Sequence, residues 1–174
     1  MTTLPAALGG GDGLVVWRLD KRIRAATWDS GEGAFLYGGR WNRKGVRAVY
    51  CSLDPATTIL ETAVHTDFNA LNTVPHMITA ARIADIAEVH IVRPDDVPNP
   101  NWLRPVPLNA GQQAFGDDLL GRHRFVAIAS VVSTHSWNLI FDPLQAAGFY
   151  SLDFQEPFAL DTRLDPVRMS LEPA

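Results

Sequence analysis

The stretch Tyr37-Gly-Gly-Arg-Trp-Asn-Arg-Lys-Gly45, followed by Tyr50 and Glu61, holds the residues best suited to chemistry. Two adjacent glycines let the backbone approach a ligand closely or adopt φ > 0. The arginine directly after them, Arg40, presents a planar fork that fits a pair of phosphate oxygens. Tyr50 supplies a flat ring and a hydroxyl. Glu61 supplies a carboxylate able to reach a cleft from the edge of its helix. On residue types alone, the same pattern is also that of a tight turn in which Arg40 pairs with Glu61.

The charge distribution favours an anion site. The 174-residue chain has 15 basic and 19 acidic residues, a net charge of −4. Eight of the basic residues (Arg18, Lys21, Arg22, Arg24, Arg40, Arg43, Lys44 and Arg47) fall between positions 18 and 47, against three acids there. A basic third on an otherwise acidic chain points to a local anion site rather than to a nucleic-acid-binding face.

Other chemistries are excluded by what the sequence lacks. The five histidines show no metal-site spacing, and a lone cysteine, Cys51, gives no zinc cluster, so no metal is expected. There is no phosphate loop ending in GK[ST], no GxGxxG opening a helix and no G-x-S-x-G elbow. No apolar run approaches the ~20 residues of a membrane span, and the N-terminus has no basic region followed by a long apolar stretch. Together with the unpaired cysteine, this predicts a cytoplasmic protein.

The elements that must position these residues are those of one mixed α and β domain over 14–165, with a flexible lead-in at 1–13 and a loose tail at 166–174. Leu14 to Leu19 reads as a strand, Lys21 to Trp28 as a short helix and Ser30 to Gly45 as a loop. Val46 to Ser52 is a strand. Asp54 then caps a helix with Pro55 in its first turn, and Ala56, Ile59, Leu60, Ala63 and Val64 form its apolar stripe. Glu61 sits about 130° from the centre of that stripe. His76 to Ile83 and Ile86 to Val92 read as two strands separated by a tight turn, and Arg93 to Pro107 as a proline-rich rigid connector. Ala110 to Leu120 is a helix weakened by Gly111 and Gly116. Phe125 to Val132 is a strand covered on both faces. Leu139 to Phe141 and Phe149 to Phe154 are further strands, joined by a turn at Asp142–Pro143 and a short helix.

Trp17-Arg18, Gly38-Gly39-Arg40-Trp41-Asn42, Gly45, Tyr50, Ser52 and Leu60-Glu61, with Val132-Ser133 and Asn138-Leu-Ile-Phe-Asp-Pro143 further on, resemble the RES domain over roughly residues 14 to 155. RES proteins are the toxin halves of RES–Xre toxin–antitoxin pairs. The resemblance implies an α+β fold like that of ADP-ribosyltransferases, with twisted mixed β-sheets flanked by helices. It also implies an activity that consumes NAD by cleaving the nicotinamide–ribose bond. ADP-ribose would pass to a protein acceptor, to water or to phosphate, and growth would stop. The implied partner is a cognate Xre-type antitoxin that occludes the site, with a homodimer within that complex left open.

The resemblance also implies roles for residues. Arg40 and Arg18 bind phosphate oxygens, and Tyr50 stacks on or hydrogen-bonds beside the nicotinamide end. Glu61 stabilises the cationic sugar and orients the nucleophile. Ser133 and Asn138 hydrogen-bond ribose or amide groups. Val132 stands where the family has proline before its serine, which leaves Ser136 as the alternative to Ser133. This assignment suits the chemistry, since nicotinamide is already cationic in NAD and its departure needs negative charge near an oxocarbenium-like sugar rather than a strong acid. Two other functions stay open: a ribonuclease-like toxin using the basic segment and Trp41, and an inactive module whose loop docks a partner.

Overall fold

Seven strands pair into one mixed sheet in the order β4-β5-β6-β2-β1-β3-β7. They are β1 (Leu14–Lys21), β2 (Val49–Ser52), β3 (His76–Ile83), β4 (Val89–Val92), β5 (Phe125–Ala129), β6 (Trp137–Phe141) and β7 (Tyr150–Phe158). Among the described residues the helices are α1 (Glu32–Tyr37), α2 (Pro55–Thr66), α3 (Phe68–Thr73) and α4 (Ala110–Arg122), with short 3-10 turns at Arg22–Thr27, Ile86–Glu88 and Pro94–Asp96. This computed structural model describes residues 13–66, 68–104 and 109–161. The expected lead-in before Gly13 and the expected tail lie outside them. The fold is the α+β single domain expected.

Side-chain alternation divides the sheet into two faces. Leu14 and Val16 of β1, Val49 and Cys51 of β2, Phe125 and Ala127 of β5, and Leu139 and Phe141 of β6 share one buried cluster. Tyr150 at the start of β7 joins it, with its ring centroid 5.0 Å from that of Phe141. Four strand spacings separate β6 from β7, about 19 Å in a flat sheet. The sheet therefore curls around this cluster. The opposite face carries Val126 and Ile128 of β5 and Ile140 of β6 in a second cluster with Leu119 and Leu120 of α4. A third cluster joins Leu19 and Ile78 to Ala63 of α2 and Leu71 of α3.

Several expectations need correction. Glu32–Tyr37 is a helix inside the expected loop, begun at Gly31 (φ 63°) and ended at Gly38 (φ 74°), so glycines that read as punctuation act as its caps. Of the two strands expected around Ala84–Asp85, the first is β3 with its expected bounds and the second begins only at Val89. Ile86–Glu88 is a 3-10 turn, β3 lies between β1 and β7, and β4 runs parallel to β5 at the far end of the sheet. No helix follows Asp142–Pro143, where residues 143–148 form turns closed by Ala146 N–H to the Asp142 carbonyl.

Helix α2 is capped as expected, with Asp54 Oδ1 accepting from the Thr57 N–H at 2.8 Å. Its buried face differs from the expected stripe. Thr57, Thr58 and Ala63 face the sheet, while Leu60 and Val64 are 41% and 60% exposed. The threonines bury because each hydroxyl finds a partner: Thr57 on Asp54, and Thr58 on the Trp17 carbonyl at 2.8 Å. That rotation turns Glu61 inward.

Candidate active site

The Gly38–Gly45 loop is built around Asn42, which is fully buried. Its Nδ2 donates to the carbonyls of Ala34, Arg43 and Val46 at 3.0–3.1 Å. Its Oδ1 accepts from the Tyr50 hydroxyl at 2.7 Å, and that hydroxyl in turn accepts from the Trp41 N–H at 3.1 Å. Gly39 has to be glycine, because a Cβ there would lie 2.7 Å from both Asn42 Oδ1 and the Tyr50 hydroxyl oxygen. Helix α4 grips the loop from outside. Gln113 Nε2 donates to the carbonyls of Gly39 and Asn42, and Asp117 accepts from the N–H and the Nε of Arg43. Most of the loop's polar atoms are thus spent on holding its shape.

Arg40 leaves this frame half-buried, with Nη1 donating to the carbonyls of Trp102 and Arg104 at 3.0 Å each. Burial lowers its pKa, and the charges of Glu61 and Tyr50 oppose that shift. The guanidinium remains charged at any working pH. The Tyr50 phenol is pushed above its ordinary pKa, mainly by burial. The Tyr50 hydroxyl is committed to the loop, and its ring packs against the cluster that holds Trp41.

Glu61 projects from α2 towards the ends of β5 and β6. Its Oε1 accepts from Ser130 Oγ at 2.8 Å and from Asn138 Nδ2 at 2.5 Å. Among the described residues no hydrogen bond reaches Oε2. Ser52, paired with Asn138 across β2 and β6, donates to Asn138 Oδ1 at 2.8 Å. Ser130, fully buried just beyond β5, also accepts from the N–H groups of Val132 and Ser133. Its one donor and its acceptor lone pairs are therefore all used.

The expected site residues separate into two groups. Arg40, Tyr50, Glu61 and Asn138 share the sheet face between α2 and α4. Ser133 does not reach Glu61. Its hydroxyl pairs with that of Ser136 at 2.9 Å, and it touches the site only through its N–H on Ser130. Ser130 holds the carboxylate instead. The signal that could have found it is a lone polar residue closing an otherwise apolar, doubly covered strand, where burial demands a partner.

Arg18 alternates onto the opposite face, beside Cys51. Strands β1 and β2 pair only at Trp17 and Ser52 and then diverge. Arg18 spans the gap, Nη1 donating to the Tyr50 carbonyl at 2.9 Å and Nη2 to Asp20 at 2.6 Å. It lines a cleft of about 80 Å³ with Asp20, Arg24 and Tyr50, a cleft that neither Arg40 nor Glu61 borders. This is well below the several hundred Å³ of an ordinary ligand pocket.

The fold and site define an α+β domain with an arginine on a glycine loop and a carboxylate on the helix that follows the next strand. The model of the RES domain matches residues 15–161, and the chain belongs to that family. It is 32% identical over 150 residues to Toxin Res of Yersinia enterocolitica serotype O:8 / biotype 1B, covering 83% of this chain and 94% of that protein. It is 29% identical over 133 residues to the Prs ADP-ribosylating toxin of Sphingobium sp. strain YBL2, covering 73% and 81%. Its fold is similar to a chain of the MbcT–MbcA toxin–antitoxin complex of M. tuberculosis, with a TM-score of 0.63, 18% identity and 84% of each chain covered.

Proposed function

We propose that this protein is the toxin of a toxin–antitoxin pair and that it cleaves the nicotinamide–ribose bond of NAD. The observation that supports this most is the Glu61 carboxylate, with Oε1 held by two donors and Oε2 unbonded among the described residues. A carboxylate fixed on one oxygen presents the other with little freedom to lose, which suits the stabilisation of charge that develops only in the transition state. The relative named as an ADP-ribosylating toxin points the same way.

In this reading Arg40 exchanges the two neutral carbonyls it now holds for pyrophosphate oxygens, which make stronger charge-assisted bonds. The Tyr50 ring packs at the nicotinamide end. The bond between nicotinamide nitrogen and ribose C1′ breaks, and its electron pair leaves with neutral nicotinamide. Glu61 Oε2 faces the cationic sugar. A nucleophile then attacks C1′ and its proton passes to Glu61 or solvent. Water gives ADP-ribose, phosphate gives ADP-ribose 1″-phosphate, and a protein side chain gives an ADP-ribosylated acceptor. Arg18 supports the site from behind by anchoring the Tyr50 carbonyl. The partner we propose is an Xre-type antitoxin covering this face, and the compartment is the cytoplasm, where NAD loss arrests growth.

Incubating the protein with NAD labelled in both halves and identifying the products tests the reading. Nicotinamide should be released by the wild type and not by a folded Glu61→Gln variant. Equal release by the two would overturn it. Added phosphate or cell extract then identifies the acceptor.

A further inference from the structure

We infer that Ser52 is a positioning residue for Glu61, acting through Asn138; the inference rests on the NAD-cleaving reading above. Ser52 is 3% exposed and sits directly across from Asn138 in the β2–β6 ladder. Its hydroxyl donates to Asn138 Oδ1, and Asn138 Nδ2 donates to Glu61 Oε1.

The polarity of this chain is dictated from its Glu61 end. An ionised carboxylate only accepts hydrogen bonds, so the amide must offer Nδ2 to it and turn Oδ1 away. Oδ1 then needs a donor, and the Ser52 hydroxyl supplies it. An amide rotated by 180° would set its oxygen against the carboxylate. Ser52 is what opposes that rotation, and linked hydrogen bonds in a low-dielectric setting also strengthen one another. Ser130 holds Oε1 from the end of β5, so two independent supports fix the direction of Oε2. Among the described residues no hydrogen bond joins Ser52 to Glu61 directly. Its contribution is to the aim of the carboxylate, which acts on the chemical step rather than on substrate affinity.

The test compares wild type, Ser52→Ala, Asn138→Ala and the double variant in steady-state nicotinamide release, together with thermal unfolding and the 15N side-chain amide signals of Asn138. Ser52→Ala should lower kcat about tenfold with KM within about twofold, as loss of support for a hydrogen bond to a charged group predicts. Ser52→Thr should restore it. In the Asn138→Ala background, Ser52→Ala should have no further effect, because the two residues act in series. Should Ser52→Ala not fold, Ser52→Cys, with its weaker donor, carries the same expectation at a smaller loss. Multiplicative losses in the double variant, or an unchanged kcat in Ser52→Ala, would overturn the inference. If the wild type releases no nicotinamide, the NAD reading fails, and the amide signals decide the positioning alone. Signals shifted by both Ser52→Ala and Glu61→Gln support it, and signals unmoved by either overturn it.

Discussion

Gly116 of α4 lies against the backbone of Trp41, so close that a Cβ at position 116 would overlap the Trp41 carbonyl group. A helix interior disfavours glycine by roughly 0.5–1 kcal/mol, and here that cost brings Gln113 and Asp117 within reach of the loop that carries Arg40. Gly116→Ala should therefore destabilise the protein by about 1–3 kcal/mol, the ordinary penalty of overpacking, and should reduce nicotinamide release by displacing the loop. Gly121 of the same helix meets nothing within 4 Å, so Gly121→Ala should stabilise by about 0.5–1 kcal/mol. Thermal unfolding of the two variants should move in opposite directions. A Gly116→Ala protein as stable as wild type would sink this account of the loop.

Tyr50 and Asn42 form the second support of that loop. Tyr50→Phe keeps the ring but leaves Asn42 Oδ1 and the Trp41 N–H without their partner, a loss of about 1–3 kcal/mol for each buried group. Stability should fall by at least 1 kcal/mol in denaturant titration. Turnover should fall too, because Arg40 precedes the freed Trp41. A variant as stable as wild type would show that the hydroxyl does not hold the loop.

Ser130 and Ser133 make opposite predictions. Ser130→Ala removes one of two donors to Glu61 Oε1, and kcat for nicotinamide release should fall about 10- to 100-fold, the range for a hydrogen bond to a charged group. Ser133→Ala removes only the contact with the Ser136 hydroxyl and should leave kcat within about twofold. The reverse ranking would return the role to the serine that the sequence resemblance suggests.

Those serines also mark how far the site was legible. Arg40, Tyr50 and Glu61 could be picked out from type and spacing because each has a local signature: a glycine pair, a strand after it, a capped helix; Asn138 came only with the resemblance to the RES domain. Ser130 could not, since nothing in its own neighbourhood shows that the strand it closes ends beside α2, 69 residues earlier in the chain. The α2 stripe misled for a related reason. Apolar periodicity assigns Leu60 and Val64 to the core, whereas the structure buries Thr57 and Thr58 through hydrogen bonds that hydrophobicity does not count. Capped helices and apolar strands were readable because their causes are local. The β4–β5 parallel pairing and the curl that brings Tyr150 to Phe141 depend on long-range packing, which local pattern does not encode.

At the far edge of the sheet, His90 of β4 and His123 beyond α4 stack with ring centroids 3.9 Å apart and planes 6° from parallel. The His123 pKa is lowered from its ordinary 6.5, first by burial and then by His90 and Arg122. A lowered value means that the unfolded chain binds the proton more readily than the native protein. Above about pH 7 neither state is protonated at this residue, and its contribution to stability is complete. As pH falls through 6.5 the unfolded state takes up the proton first, and stability is lost until the native His123 also titrates. The melting temperature of the wild type should therefore fall between pH 7 and pH 5. His123→Asn, which removes the titrating ring and its neighbour's repulsion together, should fall less steeply over that window. Parallel slopes in the two proteins would show that the stacked pair does not set the acid sensitivity of the fold.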